Sequence, residues 1–175
     1  ASSHLEGNTY SRLDTRELIE HGKAARGKGA IETQMILNHK TAIELLVENI
    51  DSAEFNRYTL MNLHSALAEN LLPNPADEGR IRQHAVDISK SIYRPLSTAQ
   101  QIEEVLDEVL SKANQIHDPF EQSFFMMVHL PYLQPFADIN KRTSRLAANL
   151  PLFRGNLCPL TFLDVPEQAY SRATL

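Results

Sequence analysis

Apolar residues recur along most of the chain at the three- and four-residue spacing of amphipathic helices. The clearest series follows Ser97 and comprises Ile102, Val105, Leu106, Val109, Leu110 and Ala113. This spacing places all six side chains on one face of a helix. Ser97 with Gln100 supplies the polar pair that typically begins a helix. We therefore predict an amphipathic helix that packs one face onto a core.

The same pattern, combined with capping residues and helix breakers, predicts six further helices. They are a short helix capped by Asp14 and ending at Gly22, long helices over 30–50 and 57–70, a helix from Phe120 to about Leu130 with Asp118 as its cap and Pro119 in its first turn, one from about Asn140 to Leu152, and a last one that starts within 164–166. The helix after Pro119 is apolar on nearly all sides, which predicts a central position. Pro131 and Pro135 are expected to stop it, and Pro151 to kink or end the next.

Residues 85–94 contain the only strand candidate, because apolar and polar residues alternate there imperfectly. Sequential helices with one short β-hairpin describe an all-α domain. The length of 175 residues is that of a single domain. The chain begins without a methionine, and its last residue, Leu175, falls inside a predicted helix, so we expect it to be part of a longer protein.

Composition narrows the class of protein. Hydrophobic residues make up 42% of the chain and charged residues 22%, as in soluble globular proteins. The formal net charge of −5 argues against a nucleic-acid surface spread over the domain. Apolar stretches are too short for a membrane span. The single cysteine, Cys158, excludes an internal disulfide, so we expect a reducing, cytoplasmic location.

Residues 134–145, which we call the signature segment, carry the candidate chemistry; they read Gln-Pro-Phe-Ala-Asp-Ile-Asn-Lys-Arg-Thr-Ser-Arg. A helix N-terminus attracts anions. Arg142 and Arg145 are three residues apart, so they can grip one polyphosphate from one helix face. Asp138 is an oxygen ligand suited to Mg²⁺. The same residues also fit a solvated basic first turn capped by an aspartate, so spacing alone leaves both interpretations open.

The signature segment resembles that of the Fic (Fido) family, His-Pro-Phe-x-Asp/Glu-Gly-Asn-Gly/Lys-Arg-x-x-Arg. The positions in register are Pro135, Phe136, Asp138, Asn140, Lys141, Arg142 and Arg145. The resemblance implies that the phenylalanine anchors the segment in the core and that the aspartate holds Mg²⁺. It also implies that the asparagine contacts the α-phosphate of ATP and that the two arginines grip the β- and γ-phosphates.

Two positions depart from the family pattern. Gln134 stands where the family has a catalytic histidine, the general base for attack of a target hydroxyl on the α-phosphate. The neutral amide has no usable pKa and cannot take that role. Ile139 replaces a glycine, and a β-branched residue is expected to resist a positive φ and a close approach to phosphate. His129 is interpreted as a core histidine rather than a substitute base.

Two further segments resemble parts of the same family. Ser2, Glu6 and Gly7 match its inhibitory motif, Ser/Thr-x-x-x-Glu-Gly/Asn, whose glutamate pairs with the second signature arginine, here Arg145. Residues 86–95 resemble the family's flap, a hairpin that binds an extended stretch of a target protein by strand addition. The residues expected to make that contact are Ile88, Ser89, Lys90, Ser91, Ile92 and Tyr93.

The resemblance thus predicts a Fic-type helical domain over residues 1–175, with the inhibitory motif and a linker in 1–29 and the helical core in 30–175. It implies binding of ATP and Mg²⁺ and transfer of AMP to a protein hydroxyl, restrained by Glu6. Because Gln134 replaces the base, the alternative is a catalytically weakened nucleotide-binding or regulatory module. Expected partners are the nucleotide, an unidentified target protein and, as an option, a second copy in a homodimer. Transcriptional regulation would require a DNA-binding domain beyond Leu175.

Overall fold

The computed structural model describes residues 2–88 and 91–174, and its regular structure there is helical. In chain order it contains a 3-10 helix His4–Glu6, α1 Arg12–His21, α2 Ala30–Glu48, α3 Arg57–Ala68, a second 3-10 helix Pro75–Asp77, α4 Ala99–Gln115, α5 Pro119–Leu133, α6 Asn140–Ala147, α7 Leu150–Arg154 and α8 Glu167–Thr174. The all-α prediction is confirmed. Within the described ranges, none of these helices combines the length and hydropathy required to cross a bilayer.

Side-chain caps fix where the helices begin. As predicted, Asp118 caps α5, and its Oδ1 accepts the backbone N–H groups of Phe120 and Glu121, both at 2.9 Å. The other two caps were misplaced. Ser11 rather than Asp14 caps α1, and Thr98, one residue after the predicted Ser97, caps α4. Hydroxyl and carboxylate side chains close together in sequence can each serve as a cap, so the sequence located these helices but not their first residues.

α5 is the central helix, with contacts to α4, α6, α7 and α8. The prediction that Pro131 stops this helix is wrong, because α5 continues through Pro131 to Leu133. A proline inside a helix leaves the carbonyl four residues earlier without its N–H partner. Here that carbonyl belongs to Met127, and the Ser144 hydroxyl of α6 donates to it at 3.0 Å. A neighbouring helix thus satisfies the group that the proline leaves unpaired.

The helix predicted over 140–152 is two helices. α6 ends at Ala147 and α7 begins at Leu150, with Pro151 in the first turn of α7. Proline is tolerated there because the N–H groups of a first turn have no intrahelical partner. The chain therefore breaks before Pro151 rather than at it. The break keeps α6 short, so that most of its residues are buried beside α5 and α3.

The predicted hairpin is not seen in residues 85–88 and 91–94, none of which forms a strand. The described part of the segment instead contains a turn bond, from the Ser91 N–H to the Ile88 carbonyl at 3.0 Å. Alternation of apolar residues indicates a strand only when a partner strand is available, and this segment borders helices and loops. Pro95, directly after the segment, and the imperfect alternation also weakened the pattern.

The N-terminal segment is fastened along α2. The Asn8 side chain, buried, donates to the Glu32 carbonyl at 2.9 Å. The Thr9 N–H and hydroxyl both donate to Glu32 Oε1, at 2.7 and 2.6 Å. A small apolar cluster of Tyr10, Leu18 and Ile36 lies beneath these bonds. These contacts hold residues 2–7 in place against the end of the main core.

Candidate functional site

A cleft of about 400 Å³ lies where the signature segment meets the N-terminal segment, α2 and the predicted flap. Its walls are Glu6, Met35, Asp87, Ile88, Gln134, Asp138, Ile139, Asn140, Lys141 and Arg142. The structure therefore brings together most of the predicted nucleotide-binding residues. It also places one residue of the predicted inhibitory motif, Glu6, in the same cleft. Arg145 lies behind the cleft wall and reaches it through Glu6.

The signature segment is anchored by a ring stack. Phe136 is fully buried, and its ring lies 3.9 Å from that of His64, nearly parallel at 10°. His64 Nδ1 accepts the Gly79 N–H at 3.0 Å, so the ring proton is on Nε2, which donates to the Asp138 carbonyl at 3.1 Å. Burial lowers the pKa of His64 to about 4. This histidine is therefore a neutral support for the backbone before α6.

Arg82 fixes the start of the signature segment to the predicted flap. Its side chain is fully buried. Its Nε donates to the Gln134 carbonyl at 2.6 Å, and its two terminal nitrogens donate to the carbonyls of His84 and Leu96. Burial lowers the pKa of the guanidinium. A buried cation is costly unless its donors are satisfied, and here three carbonyls accept from it and are thereby held together.

Ile139 adopts the backbone that its side chain was expected to resist, so that expectation was wrong. Its φ of 64° and ψ of 11° are left-handed. Two contacts hold it there. The side chain is buried, at 3% exposure, and Asp138 Oδ1 accepts its N–H at 2.6 Å. Burial of an apolar side chain offsets the strain, which is about 1–2 kcal/mol for an L-residue in this region.

Arg142 lies in the cleft as a buried cation. It is 8% exposed, and its Nη1 has no hydrogen-bond partner among the described residues. Burial lowers its pKa, against the opposing effects of the Asp138 and Glu6 carboxylates. A guanidinium buried with an unused donor is unfavourable unless an anion completes its contacts. The first turn of α6 contributes N–H groups to the same place.

Arg145 is held by the N-terminal segment. It is 1% exposed. Its Nη2 donates to Glu6 Oε1 at 2.6 Å, and its Nε donates to the Ser2 hydroxyl at 2.8 Å. The Tyr170 ring of α8 covers the guanidinium at 5.0 Å. The pair implied by the resemblance is therefore present, with Ser2 as a second contact. Gly7 ends the 3-10 helix with a φ of 81°, which favours glycine.

Gln134 ends α5 in a left-handed conformation, with a φ of 51°. Its side-chain Nε2 donates to the Pro131 carbonyl at 2.6 Å. Its Oε1 accepts from Asn140 Nδ2 at 2.9 Å. Both ends of the amide are thus bonded within the protein, at the edge of the cleft.

Asp138 is exposed at the cleft and uses Oδ1 for the Ile139 N–H. In the part of the chain that the structure describes, no three His, Cys, Asp or Glu side chains converge on a metal position. Mg²⁺ does not require such a group, because it commonly takes one or two carboxylates and completes its shell with phosphate oxygens and water. The Asp138 carboxylate therefore fits Mg²⁺ delivered with a polyphosphate.

The predicted flap lies beside the cleft. Ile88 is in the cleft wall. Ile92 is fully exposed, and the Tyr93 ring stacks on that of Tyr132 of α5, with centroids 4.2 Å apart. Ser89 and Lys90 lie outside the described residues.

His129 lies away from the cleft wall. Its Nδ1 bonds the Phe125 carbonyl at 2.9 Å, and the two rings stack 3.9 Å apart. His129 is half-buried and packs on its own helix rather than in the core, so its interpretation as a core histidine was wrong, while its contacts lie outside the cleft. Sequence reasoning missed His64, Arg82 and Tyr132, because the contact that ties each of them to the site is with a residue tens of positions away. No local pattern distinguished them.

Known proteins share sequence and fold with this chain. A model of the Fic/DOC family matches residues 54–152, which is more than half of the chain and contains the whole signature segment. Protein adenylyltransferase fic-1 of Caenorhabditis elegans is 28% identical, over 98% of this chain and 34% of that protein. Protein adenylyltransferase Fic of Nematostella vectensis is also 28% identical, over 91% of this chain and 38% of that protein. The chain thus spans about a third of the length of these relatives.

Solved structures share the fold. A Fic-1 fragment from C. elegans superposes with a TM-score of 0.79 at 26% identity, over 97% of this chain and 50% of that one. A Fic domain containing signaling protein from Bacteroides thetaiotaomicron gives 0.78 at 18% identity, over 98% and 66%; this second likeness concerns the fold alone. With the family model matching more than half of its length, the chain belongs to the Fic/DOC family.

Proposed function

We propose that the cleft binds ATP with Mg²⁺ and that the chain is an adenylyltransferase domain of Fic type, held in a restrained state by Glu6. The observation that carries the proposal is Arg142, a buried cation with an unused Nη1 in the cleft wall. A polyphosphate would supply the missing acceptor, with bidentate contacts that suit a guanidinium. The names of the two relatives, protein adenylyltransferases, support ATP as the source of that polyphosphate.

Each residue of the cleft would have its own role in nucleotide binding. Asp138 would hold Mg²⁺, which neutralises phosphate charge and orients the phosphates. Lys141 and Arg142 would bind the β- and γ-phosphates together with the first-turn N–H groups of α6. Asn140 would meet the α-phosphate. Ile139 would bring the backbone of the turn toward the nucleotide.

In the proposed reaction, a target Ser, Thr or Tyr hydroxyl forms a bond to the α-phosphorus. The bond between that phosphorus and the bridging oxygen breaks, and pyrophosphate leaves. The hydroxyl proton must go to a base. The Gln134 amide has no pKa suited to accept it, so general-base catalysis, commonly worth about 10²–10⁴-fold, is forfeited at this position. Positioning and charge stabilisation by the other residues would remain.

Glu6 is proposed as the restraint. Its carboxylate lies in the cleft and bonds Arg145 at 2.6 Å. It therefore occupies the guanidinium that would otherwise bind phosphate, and it adds negative charge nearby. Two anions competing for one guanidinium weaken each other's binding. Removing Glu6 would free Arg145 and remove the repulsion together.

The flap assignment is also a proposal. Ile88 borders the cleft and Ile92 is fully exposed, so residues 86–95 could receive an extended target segment at the mouth of the site. The Tyr93–Tyr132 stack ties this segment to the end of α5, next to Gln134.

A second candidate, a nucleotide-binding module that transfers slowly or not at all, is favoured by one observation. The Gln134 amide is bonded at both ends within the protein and offers no proton acceptor to a target. The pocket would then bind ATP and a partner protein without efficient chemistry.

The test uses ATP labelled at the α- or at the γ-phosphate, together with calorimetric binding of ATP–Mg²⁺. Glu6→Gly should bind ATP–Mg²⁺ more tightly, and Arg145→Ala in that background should reverse the gain. Glu54→Gly, at an exposed acid outside the cleft, is the matched control and should change nothing. Unchanged affinity in Glu6→Gly would refute the restraint.

The reaction is tested by label transfer. Glu6→Gly/Gln134→His should place α-label on protein far better than either single variant, because it restores the base and removes the restraint. Label from the γ-position would instead identify a kinase-type reaction. Silence of the double variant despite tight ATP binding would favour the nucleotide-binding module.

A further inference from the structure

The side chain of Asn140 has no free donor, although its position faces the proposed α-phosphate. It is 4% exposed. Its Oδ1 accepts the Phe136 N–H at 2.9 Å, and its Nδ2 donates to the Phe136 carbonyl at 2.9 Å and to Gln134 Oε1 at 2.9 Å. An amide nitrogen carries two hydrogens, and both are used inside the protein.

Backbone partners fix the orientation of both amides. The Phe136 N–H needs an acceptor, which sets Asn140 Oδ1, so the nitrogen of this amide faces Gln134. The Pro131 carbonyl, in the last turn of α5, needs a donor, which sets Gln134 Nε2. The remaining atom of the glutamine, its carbonyl oxygen, therefore faces Asn140. Exchanging nitrogen and oxygen in either amide would oppose two donors or two acceptors.

We infer that Gln134 is an internal competitor for the nucleotide, because its carbonyl holds the Asn140 N–H that a phosphate oxygen would otherwise accept. The inference rests on the proposed function, since it assumes a nucleotide in this cleft. Gln134 thereby acts as a second restraint beside Glu6, and by a different chemistry. Glu6 engages a cation, whereas Gln134 engages a neutral donor.

Because of this second restraint, a glutamine at position 134 lowers the affinity for the nucleotide and also removes the general base. The Asn140–Gln134 bond must break before phosphate can reach the asparagine. A neutral hydrogen bond is worth a net 0.5–1.5 kcal/mol, so releasing it should tighten binding by about two- to tenfold. Bringing phosphate closer to Asn140 would also align the α-phosphorus for attack.

The test measures ATP–Mg²⁺ affinity by calorimetry in the Glu6→Gly background. Gln134→Leu removes the acceptor. Gln134→Asn keeps an amide and tolerates the left-handed backbone, but its side chain is one carbon shorter and cannot reach Asn140. Both should bind ATP–Mg²⁺ about two- to tenfold more tightly. Gln83→Leu is the matched control, since its amide bonds Ile81 outside the cleft wall, and it should leave the affinity unchanged.

A second readout needs no nucleotide. The side-chain amide signals of Asn140 in NMR spectra should move in Gln134→Leu and Gln134→Asn and stay in place in Gln83→Leu. Substituting Asn140→Ala should cost little affinity while Gln134 is present and several-fold after Gln134→Leu. The two substitutions are then coupled, as expected for groups that contact each other.

Two different failures are distinguishable. If Glu6→Gly binds ATP–Mg²⁺ but neither Gln134 variant binds it more tightly, the competitor role of Gln134 is refuted while the proposed function stands. If none of the variants, including Glu6→Gly, binds ATP–Mg²⁺, the proposed function is refuted and this inference with it. Unmoved Asn140 signals would refute the amide pair itself.

Discussion

Ile139 offers a direct measurement of how burial offsets backbone strain. The side chain is 3% exposed, so Ile139→Ala should lower the free energy of unfolding by about 2–5 kcal/mol. Alanine keeps its Cβ and therefore keeps most of the strain at a φ of 64°. Ile139→Gly loses one further methyl group but recovers about 1–2 kcal/mol of strain. The step from alanine to glycine should therefore lower the free energy of unfolding unusually little at this position.

Ala147 provides the matched control. It is fully buried and is the last residue of α6, the helix that begins directly after Ile139. There, alanine to glycine should cost about 1 kcal/mol or more. We expect the alanine-to-glycine step to cost about 1–2 kcal/mol less at position 139 than at position 147.

Urea unfolding followed by far-ultraviolet circular dichroism is the assay, since the chain has no tryptophan. Thermal unfolding under the same conditions checks the ranking of the variants. Equal costs at the two positions would mean that Ile139 is not strained. A larger cost at position 139 would mean that its methyl group contributes more than the backbone does.

Three further predictions concern the supports of the site. Because His64 has a pKa of about 4 in the folded protein and 6.5 in the unfolded chain, its contribution of about 3 kcal/mol to the free energy of unfolding should be complete above pH 6.5 and be lost as pH falls toward 4. His64→Gln should therefore flatten the pH dependence of unfolding. The part that remains is due to His39, whose pKa burial also lowers to about 4. Ser144→Ala should cost about 1–2 kcal/mol in urea unfolding, against almost nothing for the exposed Ser111→Ala. Arg82→Met should cost about 3 kcal/mol or more and speed hydrogen exchange in residues 84–96, and unchanged exchange there would contradict the proposed anchoring.

The sequence predicted the local features of the fold well. The apolar series of α4 and the Asp118-Pro119 start of α5 depend on neighbours in sequence, and both are correct. Pro131 was misjudged because its effect depends on Ser144, which lies on another helix. Ile139 was misjudged because propensity alone did not include the burial of its side chain. Errors therefore arose where a tertiary contact reverses a local preference.

In the candidate site, too, the sequence predicted the local features and missed those that depend on tertiary contacts. The signature residues from 138 to 142 are adjacent in sequence, so their convergence on one cleft was predictable. Glu6 and Arg145 are 139 residues apart, and the family motif alone indicated their contact. His64 and Arg82 had no such motif. Their roles depend on backbone carbonyls, which carry no sequence signal.

Arg82 also determines how residues 84–96 can change over evolutionary time. Its guanidinium bonds both the His84 and the Leu96 carbonyl, so the two ends of this segment lie next to each other at Arg82. Insertions, deletions or substitutions between two joined ends are absorbed locally, as in other surface loops. Because the same cation holds Gln134, the junction keeps its place relative to the cleft. The stretch in between can therefore diversify, or be exchanged for a foreign peptide, without disturbing the geometry of the cleft.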